Sequence, residues 1–171
     1  MSRASLKRNW KALVEIVVAD AGPLIALARL DLLTLPGQLF SRALLTPTVL
    51  AECLVKPDSG EGNLIQAALA AGHLQLTEAP QAAPDWSVDP GEASSIALAT
   101  SQGYGLLIDD KAGRRLARHL GCSVLGTAGL LALAKRKGHL TTVRPLLSRL
   151  TESGYFLGDD VIDSVLRLCD E

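Results

Sequence analysis

Apolar residues along this chain follow two alternating rhythms. Short blocks in which nearly every position is apolar, such as Ile16-Val17-Val18 and Leu106-Leu107-Ile108, read as strands buried on both faces. Between such blocks, apolar residues recur three and four apart, the spacing of one helix face. Leu24, Ile25, Leu27, Ala28 and Leu32 make such a stripe over 22–33, with Pro23 in the first turn, where a missing N–H costs nothing. The pattern predicts strands near 15–19, 42–46, 74–77, 105–109 and 123–125. It predicts helices over 22–33, from Pro47, over 61–71 up to Gly72, from Gly91, over 110–120, and near 127–137, 141–151 and 159–169. Residues 56–60 (KPDSG) and 79–90 (APQAAPDWSVDP) are loops by their residue types. Strands alternating with helices, without an internal repeat, predict an α/β fold whose parallel sheet is covered on both faces.

Acidic residues punctuate this pattern. Asp20 closes EIVVAD, Glu52 follows LLTPTVLA, Glu92 opens a helix in PGEASSIALA, and Asp109 and Asp110 close GLLIDD. In an open parallel sheet the crevice outside the carboxyl ends of the strands is the ligand site. Carboxylates gathered there repel one another and take up protons unless a cation neutralises them. Several acids without a His or Cys cluster suit a hard, oxygen-liking ion such as Mg²⁺ or Mn²⁺. That is the chemistry of metal-assisted phosphodiester hydrolysis.

Composition narrows the classes. The 171 residues suffice for one domain with a substantial core. A formal net charge of −1 supplies no global field for nucleic acid, so any such binding needs a local patch. Cys53, Cys122 and Cys169 are odd in number and in no CxxC spacing, which argues against a disulfide framework or zinc site and for a reducing cytoplasm. No secretory segment is visible, and every long apolar stretch is interrupted well short of a membrane span. The basic leader over 1–14, with Arg3, Lys7, Arg8 and Lys11 around Trp10, reads either as an extended terminus or as a nucleic-acid arm. The ordered domain is expected over 15–171.

Taken singly, each acid also has an ordinary structural role. Asp20 is placed to cap the next helix, Glu52 to sit solvated at a helix edge, and Glu92 to meet a helix dipole. One of Asp109 and Asp110 is expected to cap the helix over 111–120, leaving the other free for chemistry. Their shared place at one sheet edge is what makes them a candidate site. Lys111, Arg114, Arg115 and Arg118 follow on that helix and are candidates for phosphate contact, or else a solvated face. Lys135-Arg136-Lys137 form a second basic cluster. His73, His119 and His139 read as surface residues near helix ends, and the chain holds no GxSxG, P-loop or HExxH.

The blocks VVADAGPLIALARLDLL, LLTPTVLAE, PGEASSIALA and LLIDDKAGRRLARHLG, the last followed by VLGTAGLLALAKRKG, resemble a PIN-domain protein in order and spacing. More narrowly they resemble a PIN-like family of unknown function often found as toxins of bacterial toxin–antitoxin pairs. The resemblance runs from about residue 15 to the C-terminus. It implies a three-layer α/β/α sandwich with a central parallel sheet and a metal-dependent ribonuclease activity. By position, Asp20, Glu52, Glu92 and Asp110 match the acids that hold Mg²⁺ or Mn²⁺, with Asp109 ranked behind Asp110. Gly22 departs from the pattern, since many PIN nucleases carry Ser or Thr two residues after the first aspartate.

The resemblance further implies an RNA substrate, an antitoxin partner and a homodimer. Two other readings stand beside it: a PIN-fold protein that binds without cutting, and a metal-dependent phosphotransfer domain. The latter needs an aspartate in a phospho-acceptor setting, and Asp20 is followed by Ala-Gly-Pro. Finally, Tyr155-Phe156-Leu157 with Val161, Ile162, Val165, Leu166 and Leu168 makes an apolar stripe near the C-terminus. It serves either the domain's own core or a dimer or antitoxin contact.

Overall fold

The computed structural model describes residues 14–55 and 60–171. Most of the basic leader over 1–14 and most of the loop expected over 56–60 lie outside the described residues. Five strands, β1 (Ile16–Ala19), β2 (Arg42–Leu45), β3 (Gln75–Leu76), β4 (Gly105–Leu107) and β5 (Val124–Leu125), form one sheet of order β3-β2-β1-β4-β5. Every pairing is parallel: Val18 lies opposite Leu44 and Leu106, and Leu107 opposite Leu125. The helices are α1 (Ala21–Arg29), α2 (Leu35–Leu39), α3 (Pro47–Cys53), α4 (Glu61–Ala70), α5 (Pro90–Gln102), α6 (Lys111–His119), α7 (Thr127–Arg136), α8 (Arg144–Glu152) and α9 (Asp159–Leu168). The result is the three-layer α/β/α sandwich that the alternation of elements implies.

Strand residues alternate between two apolar clusters, as the two-residue period of a strand requires. Val17, Ala19, Ala43, Leu45 and Leu107 join the larger cluster with residues of α1, α3, α4, α7, α8 and α9. Val18, Leu44, Leu106 and Ile108 face the smaller one, closed by Ile96, Leu98 and Ala99 of α5 and Ala117 of α6. Burial on both faces is what the unbroken apolar blocks require.

Three details depart from the sequence pattern. The first helix stops at Arg29, because the chain turns at Asp31 with φ 58°, a left-handed conformation that Asp tolerates better than most residues. Leu33 still reaches the core from that turn. The short α2, with Pro36 in its first turn, is little more than one helical turn and carries no readable stripe. Helix α8 begins at Arg144 because the Glu171 carboxylate accepts the N–H groups of Val143 (2.7 Å) and Arg144 (2.9 Å). The C-terminal stripe completes the domain's own core: Val165 and Leu166 are buried, and Val161 and Ile162 pack beside them. Phe156 is left 88% exposed. No helix among the described residues is long and apolar enough to cross a membrane.

Candidate active site

The strand order places β1 at the centre, with β2 and β4 on opposite sides of it. The chain therefore leaves β1 in one direction and returns on the other, which opens a crevice at the carboxyl ends of β1 and β4. Asp20 follows β1 directly, and its N–H continues the ladder by donating to the Leu107 carbonyl (2.9 Å). Asp109 and Asp110 follow the end of β4. The crevice thus has aspartates on both walls.

Among the described residues five polar or charged side chains are buried: Asp20, Thr46, Glu92, Ser95 and Thr127. Thr46 and Thr127 follow β2 and β5, and Ser95 and Glu92 belong to the helix that crosses toward Asp20. A core otherwise apolar has concentrated its buried polarity at one edge. Burial of unpaired polar groups is costly, so such a concentration marks a site.

Asp20 is 6% exposed and occupies the N-cap position of α1 without making a side-chain cap bond. Ser95 Oγ donates to its Oδ1 (3.4 Å). Burial pushes the Asp20 carboxyl up to about 7, and the charges of Asp89 and Glu52 add to this, against an opposing hydrogen bond from Ala21 N–H. Glu92, 9% exposed, sits in the first turn of α5 in a capping box with Asp89. Its own N–H donates to Asp89 Oδ1 (2.8 Å), and its Oε2 accepts the Asp89 N–H (3.4 Å). Burial first, then the charges of Asp89, Asp110 and Asp20, raise it to about 8. A Cβ on Gly113 of α6 would lie 3.5 Å from Glu92 Oε2, so α6 closes on it from the far wall.

Glu52 projects from α3, whose start is fixed by Thr46 accepting the Val49 N–H (3.1 Å). Its Oε1 accepts the Gly91 N–H (2.8 Å) at the head of α5. Glycine at 91 is what lets the Glu52 carboxylate sit here: a Cβ would run into it and push it aside. Burial and the Asp89 charge raise Glu52, and the Gly91 N–H opposes them. Asp110 caps α6, its Oδ2 accepting the Gly113 N–H (2.8 Å). Asp109 is engaged as well. Its Oδ1 accepts the Thr127 N–H (2.7 Å), and its Oδ2 accepts the Thr127 hydroxyl (2.6 Å) and the Tyr155 hydroxyl. The expectation that one of this pair stays free is therefore not met.

Asp89 was not singled out by the sequence reading, yet its charge acts on Asp20, Glu52 and Glu92 together. The signal was available, since Asp-x-x-Glu before an apolar run is a capping-box pattern. Ser95, Thr127 and Tyr155 were also missed. Cys53 beside Asp20 and Glu52 is not a nucleophile: burial, with those charges, pushes its thiol up to about 12. The three histidines are exposed.

Of the four cations proposed on α6, Lys111, Arg115 and Arg118 are exposed and Arg114 is half-buried. A Cβ on Gly126 would lie 2.9 Å from Asp109 Oδ1 and 3.3 Å from Arg114 Nη1, so that guanidinium reaches the carboxyl edge of the sheet. Its Nε is buried without a hydrogen-bond partner among the described residues. Lys135, from the second basic cluster, is used otherwise: it donates to the Cys169 carbonyl (2.8 Å) and to Glu171 Oε1 (2.6 Å).

In donor chemistry the crevice fits a divalent, oxygen-liking ion. Burial first, and the charges of acidic neighbours after it, raise Asp20, Glu52 and Glu92, which is the condition a cation relieves. As placed, no three His, Cys, Asp or Glu side chains among the described residues form a ready cage. Mg²⁺ commonly takes one or two carboxylates and keeps several waters, so Asp20, Glu92 and Asp110 could hold such an ion without one. No curated protein matches the chain significantly. A family profile described as PIN domain matches residues 16–171, spanning all five strands and the whole acidic crevice. By that match, and by the parallel sheet with its acids at the switch point, the chain belongs to the PIN-domain family.

Proposed function

We propose that this protein is a metal-dependent ribonuclease that hydrolyses phosphodiester bonds at the crevice between β1 and β4. The observation that carries the reading is the pair Asp20 and Glu92. Both are buried carboxyls, and each is raised by burial and by the charges of its acidic neighbours. A protein rarely keeps such groups, since they destabilise the ionised fold, unless the charge they can carry is used. Asp20, Glu92 and Asp110 would hold the ion, with Glu52 oriented by the Gly91 N–H at the rim. A bound Mg²⁺ or Mn²⁺ supplies activation of water and neutralisation of charge at the scissile phosphate. Asp20 and Glu92 give up their protons as the site is filled. The exposed Lys111, Arg115 and Arg118 meet the RNA backbone as phosphate ligands, with the half-buried Arg114 adding its charge at the same edge.

The reading extends to biology: a cytoplasmic toxin held inactive by an antitoxin protein, acting as a homodimer. The α9 stripe is used in the core, so the contact falls to the surface around Phe156, which follows Tyr155 in sequence and stands exposed. Light scattering at high micromolar concentration is expected to give a dimer, and a monomer rejects that part. The competing reading is a PIN-fold binding protein without activity. It is favoured by Glu52, Asp109 and Asp110 each being bonded to a backbone N–H. One experiment separates them: single-stranded RNA incubated with the purified protein in Mn²⁺, in chelator, and with the Asp20→Asn and Glu92→Gln variants. Cleavage by the wild type in Mn²⁺ alone supports the nuclease. Intact RNA, or cleavage by both variants at the wild-type level, rejects it.

A further inference from the structure

The hydroxyl of Tyr155 comes from the segment between α8 and α9, far along the chain from the acids, yet it ends inside their crevice. It donates to Asp109 Oδ2, and a Cβ on Gly22 would lie only 3.1 Å from its oxygen. That distance is tighter than ordinary contact, so the phenol occupies space that an absent side chain leaves open. The segment is held from below. Arg29 Nη1, on the same helix as Gly22, donates to the Ser153 carbonyl (3.1 Å) and hydroxyl (3.3 Å). Tyr155 N–H in turn donates to the Leu150 carbonyl (3.1 Å) at the end of α8.

Resting on the nuclease reading, we propose that Tyr155 is a positioning residue of the acidic site, entering over Gly22 to fix Asp109 beside Asp20. With the Thr127 N–H and hydroxyl on its other lone pairs, Asp109 is held by three donors from two distant elements. So fixed, it does not swing toward Asp20 and Asp110, and its charge stays close to the Arg114 guanidinium at the strand ends. Removing the phenol oxygen leaves Asp109 Oδ2 on Thr127 alone. The carboxylate then gains freedom next to the ion-binding acids, and orienting partners of this kind change metal affinity or turnover by about ten- to a hundred-fold when lost.

The test is a double-mutant cycle of Gly22→Ser and Tyr155→Phe, read by Mn²⁺ calorimetry, by RNA cleavage and by thermal melting without metal. Tyr155→Phe keeps the ring packing and is expected to lower kcat and Mn²⁺ affinity about ten-fold with KM for RNA unchanged. Adding Gly22→Ser to it places a hydroxyl on the same side of the crevice and restores most of both losses. In the wild-type background Gly22→Ser crowds the phenol and lowers the melting temperature, and that penalty disappears beside Tyr155→Phe. Wild-type kcat and Mn²⁺ affinity in Tyr155→Phe, or strictly additive losses across the cycle, overturn the proposal. If the wild type leaves RNA intact, the nuclease reading fails separately. The Mn²⁺ affinities of wild type and Tyr155→Phe still decide the role of Tyr155, and a wild type that binds no Mn²⁺ overturns it.

Discussion

Replacing Asp20 by Asn should make the metal-free protein more stable. The group has an ordinary value of 3.8 and is held at about 7 in the fold. The folded state therefore binds a proton that the unfolded chain releases, so the stability from this group is complete below about pH 4 and is lost as pH rises through about 7. At about pH 8 the shift of roughly three units costs the wild type about 4 kcal/mol, at about 1.4 kcal/mol per unit. Asparagine is nearly isosteric, never ionises, and its oxygen still accepts the Ser95 hydroxyl and the Ala21 N–H. The variant should thus gain about 4 kcal/mol at about pH 8, equivalent to about 10 °C in melting temperature for a domain of this size. Near pH 4 the gain should fall below about 1 kcal/mol. Urea unfolding in chelator at the two pH values measures it. An Asp20→Asn variant no more stable than wild type at the higher pH, or equally stabilised at both, would refute the account of this carboxyl.

Three further outcomes follow from neighbouring contacts. Gly91→Ala drives the Glu52 carboxylate from its hydrogen bond, because a Cβ there would lie 2.7 Å from Glu52 Oε1. Mn²⁺-dependent cleavage should fall at least about ten-fold, while circular dichroism shows an unchanged fold. Asp89→Asn keeps the α5 cap but removes the charge acting on Asp20, Glu52 and Glu92, so carbon-detected NMR titration should find all three carboxyls titrating lower. Glu171 is held down to about 2, first by its hydrogen bond from Lys135 and then by the Arg144 and Val143 N–H groups. Its contribution is present above its ordinary value and lost as pH falls toward about 2, so Glu171→Gln should destabilise by about 1–2 kcal/mol at neutral pH and by little in strong acid.

Much of this was legible in the chain because the elements are locally consistent. Apolar blocks with acids at their ends placed β1 and β4 and the residues that follow them. The register that brings Asp20 beside the end of β4 could not be read, since parallel pairing is fixed by crossovers and not by local pattern. The Asp-x-x-Glu spacing could have marked Asp89 as a helix cap, but its second role depends on which carboxylates the fold sets around it. Tyr155 was beyond reach: its partner Asp109 lies 46 residues away, and nothing in the aromatic stripe distinguishes a phenol aimed at a carboxylate from one packed in the core. The late start of α8 has the same cause, since a tertiary contact to Glu171 sets it, while α2 is too short to carry a readable stripe.

The central claim is that carboxyls raised by burial and by acidic neighbours at the β1–β4 crevice receive a divalent ion. Calorimetric titration of Mn²⁺ at about pH 6.5, in buffers of differing ionisation enthalpy, tests it directly. At that pH Asp20 and Glu92 are largely protonated, with values near 7 and 8, so binding must expel protons. The account predicts saturable binding with release of about one to two protons, reduced by Asp20→Asn. Absence of binding, or binding without proton release, would contradict it.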